Sequence, residues 1–316
     1  MARISSANLT ASFGSQVEGL DLSQPLSAEA SQSLRDLFCR RKLLLIRQGP
    51  MTAEQQIALM SAIGPVIVEN PNGSLSSRVS NLEIALVQSV AKLPFHSDYQ
   101  FTPEGPLDAV SLYAEITENG EPTTFVNMIA AVDRLPPSLR ARMEDLRVVQ
   151  MADWSRTASD DGRHRLSNRS PGAPDSQYPH CSQPMIEVHP GTGERYVNVS
   201  QRMTSHVEGW SDAASDGLFA EIESYVYVPE NSYRHEWVTD DLVIWDNRAL
   251  QHGREALAQA ARRSLRRVAV NSVDVPTMMR TSRPDPVKFP GVQWWPHDQP
   301  VAEPAANTRG HSVAPP

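Results

Sequence analysis

His96 and Asp98 stand two residues apart in the run Phe95-His96-Ser97-Asp98. On an extended backbone side chains alternate with a period of two, so this imidazole and carboxylate project from one face and could serve as two ligands of a divalent metal. Alone the pattern is common, and it suits an exposed histidine beside a solvated aspartate equally well. A second histidine, His252, follows the apolar run Leu242-Val243-Ile244-Trp245 and the polar turn Asp246-Asn247-Arg248. Two imidazoles and one carboxylate make a face that leaves three positions open and suits ferrous iron, whereas a structural zinc would want a fourth protein ligand. An exposed turn histidine is the plain alternative for His252.

The third pattern is Arg262-Arg263-Ser264-Leu265-Arg266-Arg267. Four arginines in six residues could be a phosphate or nucleic-acid patch, or a solvated edge. Arg263 and Arg267 are an even number apart, so on a strand both lie on one face and Ser264 and Arg266 on the other. Two inward guanidiniums in an acidic protein need anionic partners, because a buried unpaired charge is very costly. A dicarboxylate held by a guanidinium fork is the natural partner.

The elements that must position these residues read as strands with helices around them. Ser27 to Arg41 is a capped amphipathic helix, Lys42 to Arg47 a buried strand, and Thr52 with Gln55 a capping box opening a helix that ends at Ile63 before Gly64-Pro65. Strand patterns follow at Leu82 to Gln88, Ala109 to Ile116 and Arg147 to Met151, then a hairpin of Met185 to Val188 with Arg195 to Val199. Ser211 caps a helix to about Val226, and strands at Tyr233 to Trp237, Asp241 to Trp245 and Leu265 to Val273 complete the pattern. The polar stretch 155–183 has no period of either kind and reads as a lid loop or an insertion, with His164, His180 and His189 in or beside it taken as solvated. The segment 301–316 reads as a flexible tail. An α+β chain with a mainly β core is expected, as one domain over 1–300.

Composition narrows the partners. A net charge of -8 argues against coating nucleic acid, and no apolar run approaches the roughly eighteen residues of a membrane span. The N-terminus lacks the pattern of an export signal, so a cytoplasmic protein is expected, as a monomer or a homo-oligomer. Only two cysteines, Cys39 and Cys181, are present and far apart, so a metal must rely on histidine and carboxylate. The 25 prolines exceed the usual share of roughly 5% and predict short elements joined by fixed loops.

In order and spacing these residues resemble the taurine dioxygenase-like (TauD/TfdA) family of iron(II)- and 2-oxoglutarate-dependent dioxygenases, over roughly Leu9 to Val273. His96-x-Asp98 is followed by Thr123, then by Trp245-Asp246-Asn247-Arg248 leading to His252, then by Arg263 and Arg267. The resemblance implies a double-stranded β-helix, or jelly roll, with flanking helices. It implies that His96, Asp98 and His252 bind Fe(II), and that Thr123 and Arg263 hold the far carboxylate of 2-oxoglutarate. Arg267 would lie near the keto-acid end and contact an acidic group of the substrate. O2 would be the oxidant, with release of succinate and CO2 as a C–H bond is oxidised. Aspartate at 98 argues against the halogenase variant, which lacks this carboxylate.

Taurine itself is a poor fit, because the segment Val66 to Asn72 carries neither the histidine nor the tyrosine that taurine-acting members supply. Val68, Glu69, Lys92, Phe95 and Tyr99 are the expected pocket wall, with Phe101 a core residue. Together with Arg267 they suit a small to mid-sized organic acid or a natural-product intermediate of secondary metabolism. The competing reading is a jelly-roll metal protein, an isomerase or sensor without 2-oxoglutarate turnover. Arg263 and Thr123 discriminate against it, since a dicarboxylate co-substrate explains both.

Overall fold

A computed structural model describes residues 4–69, 73–82, 91–152 and 179–281. Its largest sheet has seven strands: β1 (Ser5–Asn8), β2 (Ser15–Glu18), β3 (Leu43–Arg47), β4 (Ser77–Ser80), β6 (Ala109–Glu118), β14 (Asp241–Asp246) and β16 (Arg262–Val270). Their order is β1-β2-β3-β14-β6-β16-β4, antiparallel except where β2 runs parallel to β3. A four-stranded antiparallel sheet orders β13 (Ser232–His235), β7 (Thr123–Asn127), β15 (Leu250–Arg254) and β5 (Leu93–His96). A three-stranded sheet of β12 (Thr204–Val207), β8 (Arg147–Met151) and β9 (His180–Pro184), and a hairpin of β10 (Ile186–Val188) with β11 (Arg195–Val197), complete the strands.

Alternation along the strands decides the layers. Leu43, Leu45, Leu112, Val243, Trp245, Leu265 and Ala269 share one core with Phe125 and Leu250 of the four-stranded sheet, so the two sheets pack face to face. The intervening residues Leu44, Ile46, Tyr113, Ile244 and Val268 pack instead with Leu34 and Phe38 of α1 (Ala28–Arg41) and Leu59 and Met60 of α2 (Ala53–Ile63). Each large apolar side chain buried in this way contributes about 1.5–3 kcal/mol. Ser27 caps α1, and Thr52 and Gln55 form the expected capping box on α2. A third core gathers α3 (Met128–Arg134), α4 (Pro137–Met143) and α5 (Asp212–Val226) against β8 and β11. With α6 (Val275–Thr281) after β16, the architecture is the expected mixture of helices and mainly antiparallel strands. No helix among the described residues is long and apolar enough to cross a membrane.

A strand not expected from the sequence, Ser77–Ser80, pairs with the edge of β16 through Ser264 to Arg267; of the strand expected at Leu82 to Gln88, residues 83–88 lie outside the described ones. The stretch 155–183 ends in a strand, since 180–183 pair with β8 as β9. Residues 155–178 and the tail 301–316 lie outside the described residues.

Candidate metal centre

β5 ends at His96 and pairs antiparallel with β15, which sets His96 and His252 opposite one another. Their ring centroids are 4.4 Å apart. Gly253 permits this approach: a Cβ there would stand 2.9 Å from the Leu93 carbonyl oxygen and 3.1 Å from Phe95 Cδ1. His96 Nδ1 lies 2.8 Å from the Pro94 carbonyl oxygen, which can only accept, so Nδ1 carries the proton and Nε2 its lone pair. Nε2 in turn lies 3.3 Å from Asp98 Oδ1, and His252 Nε2 lies 3.9 Å from the same oxygen.

Asp98 is not on the strand. It opens a turn, and Asn247 holds it there: Oδ1 of Asn247 accepts from the Asp98 amide at 3.0 Å, and Nδ2 donates to the Asp98 carbonyl at 3.1 Å and the Leu107 carbonyl at 3.2 Å. Tyr99, next in this turn, has φ +61°, a left-handed conformation that costs a bulky residue about 1–3 kcal/mol and marks a functional turn. Asp246 accepts from the amides of Arg248 and Ala249 at 3.1 and 2.9 Å, which folds the turn that delivers β15. Arg248 ties that turn to Asp108 at 2.8 Å, and buried Trp245 packs against the His252 ring with centroids 4.9 Å apart and planes tilted by 57°.

The donor set fits a divalent cation. One ligand atom from each of His96, Asp98 and His252 lies within 4.8 Å of the others. A bare imidazole nitrogen facing a carboxylate oxygen at 3.3 Å is repulsive unless a cation sits between them. Burial, then the neighbouring His96, pushes His252 down to about 3, against the pull of Asp98, so its imidazole is in the neutral, metal-binding form. Burial works against the Asp98 carboxylate, yet Arg267, His252 and His96 outweigh it and hold its pKa well below 3.8.

Arg263 and Thr123 meet across the two sheets. Arg263 Nη2 lies 3.5 Å from Thr123 Oγ1, which also accepts from Trp237 Nε1 at 3.0 Å. Arg263 is buried, its Nε has no partner, and no carboxylate pairs with it among the described residues. Burial, then Arg254, pushes it down to about 9, which leaves it cationic at neutral pH. An unpaired buried guanidinium beside a hydroxyl still free to donate is the donor set for one carboxylate of a dicarboxylate.

Arg267 has anionic partners within the protein. Val66 bridges to Val270 and the Ile67 amide donates to the Ala269 carbonyl at 3.1 Å, which lays these two residues along the end of β16. Glu69 thereby reaches Arg267: Nε donates to its two oxygens at 2.9 and 3.1 Å, while Nη1 donates to Asp98 Oδ2 at 2.7 Å. Burial raises the Glu69 carboxyl and Arg267 opposes it; burial likewise opposes the charge on Arg267, but Glu69 and Asp98 raise its pKa overall.

The expected pocket wall divides. Tyr99 is buried 6.0 Å from Phe101, itself in the core, and burial raises its hydroxyl, with Glu69 adding to this. Val68 is half-buried and its carbonyl accepts from the Val275 amide. Phe95 turns away from His96 and stacks on Tyr227 at 4.7 Å, beside the helical core, because neighbours on a strand face opposite ways. Lys92 pairs with Glu255 at the surface. His189, expected in solvent, is buried and pairs with Asp246 at 3.0 Å. The sequence did not single out Arg202. Its amide donates to the Phe95 carbonyl at 3.2 Å. Burial lowers its guanidinium, and Asp98 is the charge that works against this.

The family model of the taurine catabolism dioxygenase TauD, TfdA family matches residues 5–269. The chain belongs to that family. It is 28% identical over 274 residues to the alpha-ketoglutarate-dependent 2,4-dichlorophenoxyacetate dioxygenase of Cupriavidus pinatubonensis, covering 81% of this chain and 93% of that protein. It is also 28% identical over 261 residues to the (S)-phenoxypropionate/alpha-ketoglutarate-dioxygenase of Sphingobium herbicidovorans, covering 78% and 87%. In fold it is similar to AAD-2, solved with Mn(II) and N-oxalylglycine, with a TM-score of 0.69 over 86% of this chain and 98% of that one at 24% identity. Membership carries the reaction class expected from the sequence, a 2-oxoglutarate-dependent non-haem iron dioxygenase using Fe(II), 2-oxoglutarate and O2 on a small organic molecule. It sets aside the isomerase or sensor.

Proposed function

We propose that His96, Asp98 and His252 hold the iron, that Arg263 and Thr123 hold the far carboxylate of 2-oxoglutarate, and that the two facing sheets are the halves of a jelly roll. The observation that carries this is the triad of ligand atoms within 4.8 Å, held between the same two sheets as Arg263, which has no counter-ion among the described residues. When bound, iron and 2-oxoglutarate supply the oxidising power that lets O2 attack a substrate C–H bond, with succinate and CO2 released.

The chain's own residues do the positioning. The Pro94 carbonyl fixes the His96 tautomer, Asn247 fixes the Asp98 backbone, and the β5–β15 register fixes the separation of the imidazoles. Arg263 from the facing sheet and Thr123 from the sheet of the imidazoles orient the co-substrate, and the apolar core around Phe125 and Trp245 keeps water from the buried side of the ligands. A nucleophile and a general base have no role in this scheme.

Anaerobic addition of Fe(II) and 2-oxoglutarate should produce a visible charge-transfer band, and O2 should then yield succinate. Unchanged succinate formation in His252→Ala or Asp98→Ala would sink the ligand assignment.

A further inference from the structure

The arginine that the resemblance assigns to a substrate acid already has its acids. Arg267 is buried with Glu69 on one side and Asp98 on the other, and three of its nitrogens are engaged at 2.7 to 3.1 Å. Glu69 is itself buried, at 2% exposure, and follows directly on the backbone pairing of Val66 and Ile67 with the end of β16, so the contact is part of the fold. The group comprises two carboxylates and one guanidinium, a net charge of -1 before any metal. A substrate carboxylate or sulfonate entering here would add a third acid around one guanidinium that already faces two.

We infer that Glu69 is a specificity-determining residue of this chain: it takes the place of a substrate's acidic group on Arg267, so that the substrate presents an uncharged group at this position. The inference rests on the dioxygenase reading and deepens it. The named substrates of two relatives, 2,4-dichlorophenoxyacetate and phenoxypropionate, are acids; Arg267 of the present chain already pairs with two acids of its own.

The test uses equilibrium binding. Wild-type protein and the Glu69→Gln and Glu69→Ala variants are loaded with Mn(II) and N-oxalylglycine and titrated calorimetrically with phenoxyacetate and with its neutral isostere phenoxyacetamide. Loading is read first, so its failure in the wild type counts against the dioxygenase reading, and its success in a variant shows that the variant is folded. Relief of the negative charge should strengthen phenoxyacetate binding by about tenfold or more in E69Q or E69A, with the amide little changed. Acid affinity that stays the same or falls in variants that load normally overturns the inference. Should neither variant load, the wild-type pair decides. A preference for the amide supports the assignment, and a preference for the acid, or no discrimination, overturns it.

Discussion

Asn247 offers the sharpest test of how the site is held. Its side chain is fully buried and makes three hydrogen bonds, two to the Asp98 backbone and one to the Leu107 carbonyl. Asn247→Ala removes three bonds and leaves the Asp98 amide without its partner, although the Asp98 carbonyl keeps the Leu107 amide; at roughly 1 kcal/mol net per bond, and more for an orphaned donor, this amounts to about 2–4 kcal/mol of stability. Because the lost bonds anchor the turn that presents Asp98, metal affinity should fall as well, by about 10–100-fold. Denaturant unfolding of the metal-free protein measures the first effect and an anaerobic Co(II) or Fe(II) titration the second. Asn247→Asp keeps an acceptor for the Asp98 amide but turns an oxygen toward two carbonyls, so it should be at least as damaging as alanine. If the alanine variant loses stability while binding metal as tightly as the wild type, Asn247 supports the fold and does not position Asp98.

Arg263→Ala should raise the 2-oxoglutarate requirement by about 10–100-fold through the loss of charge-assisted bonds, while the metal-free protein keeps or gains stability because an uncompensated buried cation is gone. An unchanged co-substrate affinity would move that site elsewhere. Gly253→Ala places a Cβ 2.9 Å from the Leu93 carbonyl, and separating β15 from β5 should cost about 1–3 kcal/mol and weaken metal binding, as read by melting and metal titration. Asp241 is held below its ordinary 3.8: burial opposes this, but His235 and Arg47 prevail. Its contribution is present above that value and lost as pH falls through the lower folded one. Wild-type and Asp241→Asn unfolding curves should differ most at neutral pH and converge in acid below 3.8; a difference that persists there would remove the electrostatic account.

Much of the fold was legible where pattern and local chemistry agreed. The capping box at Thr52, the strand Arg147–Met151 and the alternation of Arg263 with Arg266 all stand as expected, since each depends on near neighbours in the chain. The strands β5, β7 and β15 carry three of the site's residues yet are only four or five residues long. Such runs are too short for a period to declare itself, and pairing partners from distant sequence stabilise them. His189 escaped for a related reason: its partner Asp246 is remote in sequence, and nothing around a polar turn signals burial.

The sequence by itself determined the chemistry on offer: two imidazoles, a carboxylate and two inward arginines, with spacings that resemble one dioxygenase family. Those are properties of residue type and order. Tertiary structure alone decided which of these groups remain available. Arg263 emerges beside Thr123 without a counter-ion among the described residues, whereas Arg267, four residues along the same face, pairs with both Glu69 and Asp98. The difference lies in what the fold lays against each guanidinium. Val66 and Ile67 pair with the end of β16, which brings Glu69 to one arginine and not the other, and a buried charge takes its character from its partner.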